Sequence, residues 1–408
     1  MENYFGGASE YHGSEGELRV EQQRLRWDIL DVWQKACEDY GIAASDDFNT
    51  GNNEGVGLFH VNQVKGVRQS AKRAFLNPVK KRNNLTVLQR CHVDKLHWQG
   101  NRVSGLAMLR KGKLVNVEAR EQLILSAGAV SSPCILQRSG IGREDDLQAA
   151  GITCRLKLNG VGINLHDHLQ VRVAFTVDNA QTLNEKYHNL WQRMGMGLEY
   201  ALFQRGPLAM APSQLGAFFK SDTGLTAPDL EYHVQPLTTT QLGSPLDKAP
   251  GITASICNLQ PTSRGNIRIA SADPLQMPLI NPNYLATEQD KKIAARSIAI
   301  TREIASQPAV QRYKPREIRP GSQLTSETDL ARAAGDIASS IFHPVGTCKM
   351  GDTHDELAVT NAQLRVKHFD NLYIADASVM PTITSGNTHA PVAMIAQTLC
   401  ETLLAPKN

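Results

Sequence analysis

Apolar positions recur at helical spacing early in the chain and at strand spacing later. Between residues 17 and 40, Leu18, Val20, Leu25, Ile29, Leu30, Val32, Trp33 and Cys37 stand among charges. Much of that stretch predicts an amphipathic helix, with Gly41 as its stop. From Leu85 the texture changes to short β-like runs: Leu85–Leu88, Val93–Trp98, Val103–Leu109, Leu114–Ala119 and Glu121–Leu125. Gly100, Asn101 and the Lys111-Gly112-Lys113 turn separate several of them, so a strand, a small meander and a buried strand are expected. That last strand breaks at Ser126-Ala-Gly-Ala129 and continues as a helix over 131–137, with Pro133 in its first turn. A turn of small residues lets a ligand approach the backbone, and a helix N-terminus offers free N–H groups to an anion.

The middle of the chain reads differently. Leu230–Gln235 and Thr262–Ala270 alternate polar with apolar residues, predicting antiparallel strands, and 290–306 predicts a helix between them and the end. After Asp352 the parallel-sheet texture returns. Leu372–Ala375 is a short buried strand ending at Asp376, and Pro391 opens an apolar helix running to Leu404. Flanks of one texture around a middle of another predict one discontinuous domain enclosing a second.

Length agrees, because 408 residues exceed what one hydrophobic core usually organises. Lys and Arg number 43 against 40 Asp and Glu, too even for a protein whose main partner is nucleic acid. The basic stretch Lys72–Arg82 therefore reads as a solvated helix face and loop more readily than as an anion patch. No apolar run approaches the ~18 residues of a membrane-spanning helix, and the opening Met1–Gly7 does not read as a signal peptide. Seven scattered cysteines without a Cys-x-x-Cys pair argue against a disulfide framework or structural zinc. The expected location is the cytoplasm, with peripheral membrane association left open.

Three stretches carry the chemistry. They are Ser126-Ala-Gly-Ala-Val-Ser-Ser-Pro-Cys-Ile-Leu-Gln-Arg-Ser-Gly-Ile-Gly142, His343-Pro-Val-Gly-Thr-Cys-Lys-Met350 with Gly351, and Leu372–Ala396, which contains Asp376, Asn387, His389 and Pro391. Together they resemble the glucose–methanol–choline (GMC) family of flavin-dependent oxidoreductases, with its choline-dehydrogenase-like branch as the nearest flavour. Gly160–His168 and Ser263–Arg268 add matches in the same order.

The resemblance implies an α/β fold. A Rossmann-like FAD-binding domain would comprise residues 1–165 and 346–408, enclosing a substrate domain with an antiparallel sheet over 166–345. It implies FAD as cofactor and oxidation of a primary alcohol to an aldehyde, with oxygen, a quinone or a carrier protein as electron acceptor. His343 and Asn387 would be the catalytic pair. A group titrating near neutrality suits removal of a hydroxyl proton, and an amide can orient the substrate oxygen. Toward the cofactor, the resemblance places Val93 and Ala127 on the adenosine side, Asp376 and Ala377 near the ribityl–diphosphate, and His389 beside the flavin ring. Pro391 would open a helix whose positive end meets the flavin.

Two competing chemistries have weaker support. His166-Asp-His168 could chelate a metal, but no third ligand stands at a motif spacing, so no metal is expected. Ser-His-Asp hydrolysis lacks a Gly-x-Ser-x-Gly elbow. The family's opening Gly-x-Gly-x-x-Gly unit has no counterpart: beyond the Gly-x-Gly pairs stand His60, Asp145, Leu165 and Tyr200. On the order of a hundred residues upstream are therefore expected to be missing, including the first strand of the nucleotide fold. A non-catalytic remnant unable to hold FAD, or a flavin-containing lyase of the same fold, are the alternative readings.

Overall fold

Alternation in the middle of the chain has its structural counterpart in an antiparallel sheet, seen in a computed structural model describing residues 1–241 and 243–405. Its strands lie in the spatial order Arg316–Arg319, Leu169–Thr176, Gly251–Asn258, Leu230–Gln235, Leu215–Phe219, Gly55–Leu58. Register places Val171, Val173, Ile256, Ala254, Tyr232 and Val234 on one face, all of them buried. Helices Asp28–Tyr40 and Glu288–Ala305 cover that face. The Trp33 ring lies 5.9 Å from that of Phe175, and the Tyr232 hydroxyl bonds Thr301 at 2.6 Å. The opposite face carries Gln170, Arg172, Ser255, Cys257, Glu231 and His233, and these are buried too.

The chain divides into two units. One comprises residues 1–87, 169–259 and 291–339 and holds this sheet; the other comprises 88–168, 260–290 and 340–408. The first 87 residues belong with the sheet because strand Gly55–Leu58 pairs with Leu215–Phe219 at its edge.

The helix expected within 17–40 is shorter than its apolar periodicity. Leu18–Val20 forms a parallel pair with Glu2–Tyr4, and the helix begins at Asp28 and stops at Gly41. A backbone partner sixteen positions upstream overrides the local pattern there. Leu85–Leu88 forms no strand, and Val87 and Leu88 are exposed.

In the second unit the meander is present as Cys91–Gln99, Arg102–Arg110 and Lys113–Glu118. Leu123–Leu125 pairs in parallel with Leu372–Ile374. Helices Gly128–Arg138 and His389–Leu404 pack there, and Leu125, Ile135, Leu136, Ile374, Ile395 and Leu399 share one apolar cluster. Among the described residues, no helix is long and apolar enough to cross a membrane.

Candidate active site

The second unit brings the Gly128 helix start, the Asp376 corner and the His343 loop together from distant parts of the sequence. Strand Leu123–Leu125 ends in an exposed Ser126-Ala127, and Gly128 follows with φ +82°, a left-handed geometry that glycine adopts without strain. The helix starts at Gly128, so Pro133 lies inside it and not in its first turn as expected. Proline has no N–H to give the carbonyl four residues back. The Thr347 hydroxyl bonds that carbonyl, on Ala129, at 2.6 Å. The proline is thus accommodated, and the segment following His343 is tied to the helix.

Asp376 is buried beneath the Ser126–Gly128 turn. One carboxylate oxygen accepts from the Gly128 N–H at 2.9 Å and the Ser132 hydroxyl at 2.5 Å. The other accepts from the Ser378 N–H at 2.8 Å and its hydroxyl at 2.5 Å. Its carboxylate therefore shapes the turn from within. Ala377 and Ser378 connect this corner to the His343 loop, their carbonyls accepting from the N–H groups of Gly346 at 3.2 Å and Cys348 at 2.8 Å. A Cβ on Gly346, whose φ is +90°, would sit 2.5 Å from the Asn164 carbonyl oxygen, so only glycine lets the loop pass.

His343 is half-buried. Its N–H donates to the Asp167 carboxylate at 2.8 Å, and its Nδ1 lies 3.0 Å from Nδ1 of His168. The other Asp167 oxygen accepts from the Tyr284 hydroxyl at 2.6 Å and from Ser340. Burial, then the nearby Asp167 carboxylate, push the Tyr284 phenol far up, so it stays protonated and donates. His166 is neutral: burial drives its pKa down to about 4, and its Nδ1 bonds the Asn164 carbonyl at 2.7 Å.

The remaining expected residues sit at the second helix start. Asn387 and His389 are exposed, and Pro391 lies in the first turn, where no intrahelical N–H is required. Gln260 steadies the preceding loop through Ser385 at 2.6 Å. No hydrogen bond joins the Asn387 amide to His343. Val93 lies in strand Cys91–Gln99, its carbonyl accepting from the Arg138 guanidinium at 3.2 Å. Asp167, His168, Ser132 and Thr347 support this site and were not singled out for it; the His-Asp-His triplet was the one visible signal.

Among the described residues, one group has metal-ligand spacing, Glu231, His233 and Cys257 in the first unit. Glu231 and His233 approach each other at 3.2 Å there.

Residues 5–170 and 261–396 match the sequence models of the GMC oxidoreductase family. The oxygen-dependent choline dehydrogenase of Photobacterium profundum is 36% identical, the match covering 99% of this chain and 71% of that one. The chain belongs to the GMC oxidoreductase family. The alcohol dehydrogenase [acceptor] of Pseudomonas putida is 33% identical over 97% of this chain and 72% of its own length. Human mitochondrial choline dehydrogenase is 34% identical over 96% of this chain and 66% of its own. Among solved structures, pyridoxine 4-oxidase from Mesorbium loti superposes with a TM-score of 0.88 at 28% identity, covering 100% of this chain and 76% of that one. The GMC chain is an oxidoreductase, and its cofactor is FAD.

The residues present fit a flavin dinucleotide. The helix start at His389 carries no acidic residue in its first turn, whereas helices Asp28–Tyr40, Glu144–Ala149 and Glu327–Ile337 all do, and at the Gly128 start one N–H already meets the Asp376 carboxylate. N–H groups at such starts have no carbonyl within the helix to meet and favour anionic groups. Around Gly128 a side chain would meet nothing within 4 Å, which leaves room at the turn for a ligand.

Proposed function

We propose that this GMC oxidoreductase oxidises a primary alcohol to an aldehyde, with His343 as the base. The observation that carries this reading is the fixing of His343: its backbone is held by Asp167 and its ring by His168, on a loop bonded to Ala377 and Ser378. The names of the choline and alcohol dehydrogenases it resembles support the same substrate class.

The FAD would be held by Ser126, Ala127, Ala377, His389 and Pro391, with Val93 toward the adenosine; when bound it supplies the hydride acceptor. His343 takes the hydroxyl proton as the carbinol hydride departs. Asn387, exposed at its helix start, orients the substrate oxygen and supports its developing charge. Asp376 acts on the turn and not on substrate, since four donors already occupy its carboxylate. Seven free cysteines support placement in a reducing compartment such as the cytoplasm.

The purified chain should carry, or take up, a flavin absorbance band. Anaerobic mixing with primary alcohols, choline among them, should bleach that band whatever the physiological electron acceptor. His343→Ala should slow bleaching at least ~100-fold. A colourless chain that FAD cannot restore, or normal bleaching by the variant, would refute the proposal.

A further inference from the structure

The contact between His168 and His343 joins like atoms, Nδ1 to Nδ1 at 3.0 Å, with the ring centroids 5.3 Å apart and the planes at 74°. A hydrogen bond between two such nitrogens needs one to carry the proton and the other to offer a lone pair. The bond therefore couples the tautomers of the two rings. We infer that His168 is a positioning residue: its Nδ1 accepts the Nδ1–H of His343 and thereby leaves Nε2 of His343 unprotonated, ready to receive the substrate's hydroxyl proton.

This inference rests on the role proposed for His343, and the direction follows from what a base must do. If His343 donates at Nδ1, it can gain a proton at Nε2 without breaking the bond to His168, and the charged ring then donates more strongly. If His168 donated instead, Nε2 of His343 would already hold the proton. The ring could not serve as acceptor until that bond was broken.

The surroundings make the arrangement rigid. His168 is fully buried, so water does not compete for its ring, and its neighbour Asp167 fixes the His343 backbone. Tyr284 and Ser340 in turn hold Asp167. Gly346 then lets the loop return to the Ala377 corner. Two adjacent residues, Asp167 and His168, thus set the position and the protonation pattern of His343 respectively. The same His-Asp-His triplet that suggested a metal site serves the base.

The test starts with the wild-type full chain carrying ¹⁵N-labelled histidine. The two-bond proton–nitrogen spectrum of His343, assigned by loss of its signals in His343→Gln, should show a protonated Nδ1 and a bare Nε2 near neutral pH. A protonated Nε2 would overturn the inference without any variant of His168 having to fold. His168→Leu, which removes the acceptor, should then mix the His343 tautomers and lower the rate of flavin reduction about 10- to 100-fold with KM nearly unchanged. It should also lower the apparent pKa on the acid limb of the rate profile, because the charged ring loses its acceptor. His168→Asn, whose amide oxygen can stand near the Nδ1 position, should restore most of the rate and the wild-type tautomer. A His168→Leu protein with unchanged tautomer and unchanged pH profile would refute the inference. Normal flavin reduction by His343→Ala would instead remove the catalytic reading of His343, while the tautomer is still decided by the spectrum.

Discussion

Asp376→Asn changes one atom in a place where no rotation of the new amide can satisfy its surroundings. Each carboxylate oxygen accepts from one backbone N–H and one serine hydroxyl: Gly128 and Ser132 on one side, Ser378 twice on the other. An amide turned either way points its NH₂ at a backbone N–H that cannot turn aside. Two bonds to a charged acceptor are lost in both orientations, although a hydroxyl can reverse and accept from the new donor. At about 1.5–3 kcal/mol for a hydrogen bond to a charged group, the loss is roughly 3–6 kcal/mol. That is a large part of the ~5–15 kcal/mol that stabilises a typical protein. For a unit of this size it corresponds to a fall of about 6–24 °C in the unfolding midpoint. Thermal unfolding followed by near-ultraviolet circular dichroism would read it, with Ser132→Ala as a milder control that removes a single donor. A shift equivalent to less than about 1 kcal/mol would refute the reasoning.

Thr347→Val should leave the Ala129 carbonyl unpaired inside the protein and cost about 1–3 kcal/mol, whereas Thr347→Ser should recover most of it; denaturant titration separates the two. In the other unit, His12 bonds Glu2 at 3.1 Å and Asp47 at 2.8 Å. Burial opposes its charge, yet the bonds to Asp47 and Glu2 outweigh burial and raise its pKa. A raised folded pKa stabilises fully below the unfolded value of about 6.5, and the contribution disappears as pH rises through the folded value. Urea unfolding should therefore show wild type losing stability between mildly acidic and alkaline pH relative to His12→Gln, and parallel pH dependences would refute this.

Local chemistry in the sequence marked the turns and loops on which the expected site residues stand, while the couplings between them stayed hidden. The turn at Ser126–Gly128, the His343 loop and the helix opened near Pro391 were all legible, because glycine permits turns that other residues resist and proline fixes its own φ wherever it stands. The His168–His343 bond joins residues 175 positions apart, and Thr347–Ala129 joins residues 218 apart. Neither distance leaves a periodic trace. Pro133 suggested a helix start for a good local reason, but a hydroxyl from another segment satisfied the carbonyl that it orphaned. In the antiparallel sheet, alternation showed which residues share a face and not whether that face is wet. Glu231, His233 and Arg172 look like a solvent side and are buried.

The pairing of Leu123–Leu125 with Leu372–Ile374 also sets a schedule for synthesis. At ~5–20 residues per second, the ribosome needs about 12–50 seconds after the first strand emerges to deliver the second. Throughout that interval the first strand lacks the partner strand it has in the finished sheet, while its following helix can already pack against strand Cys91–Gln99, where Leu96 shares the cluster of Ile135 and Leu136. The Gly128 turn cannot gain its Asp376 anchor until residue 376 has been made. A dinucleotide that needs this turn in its finished shape therefore has to wait for residue 376.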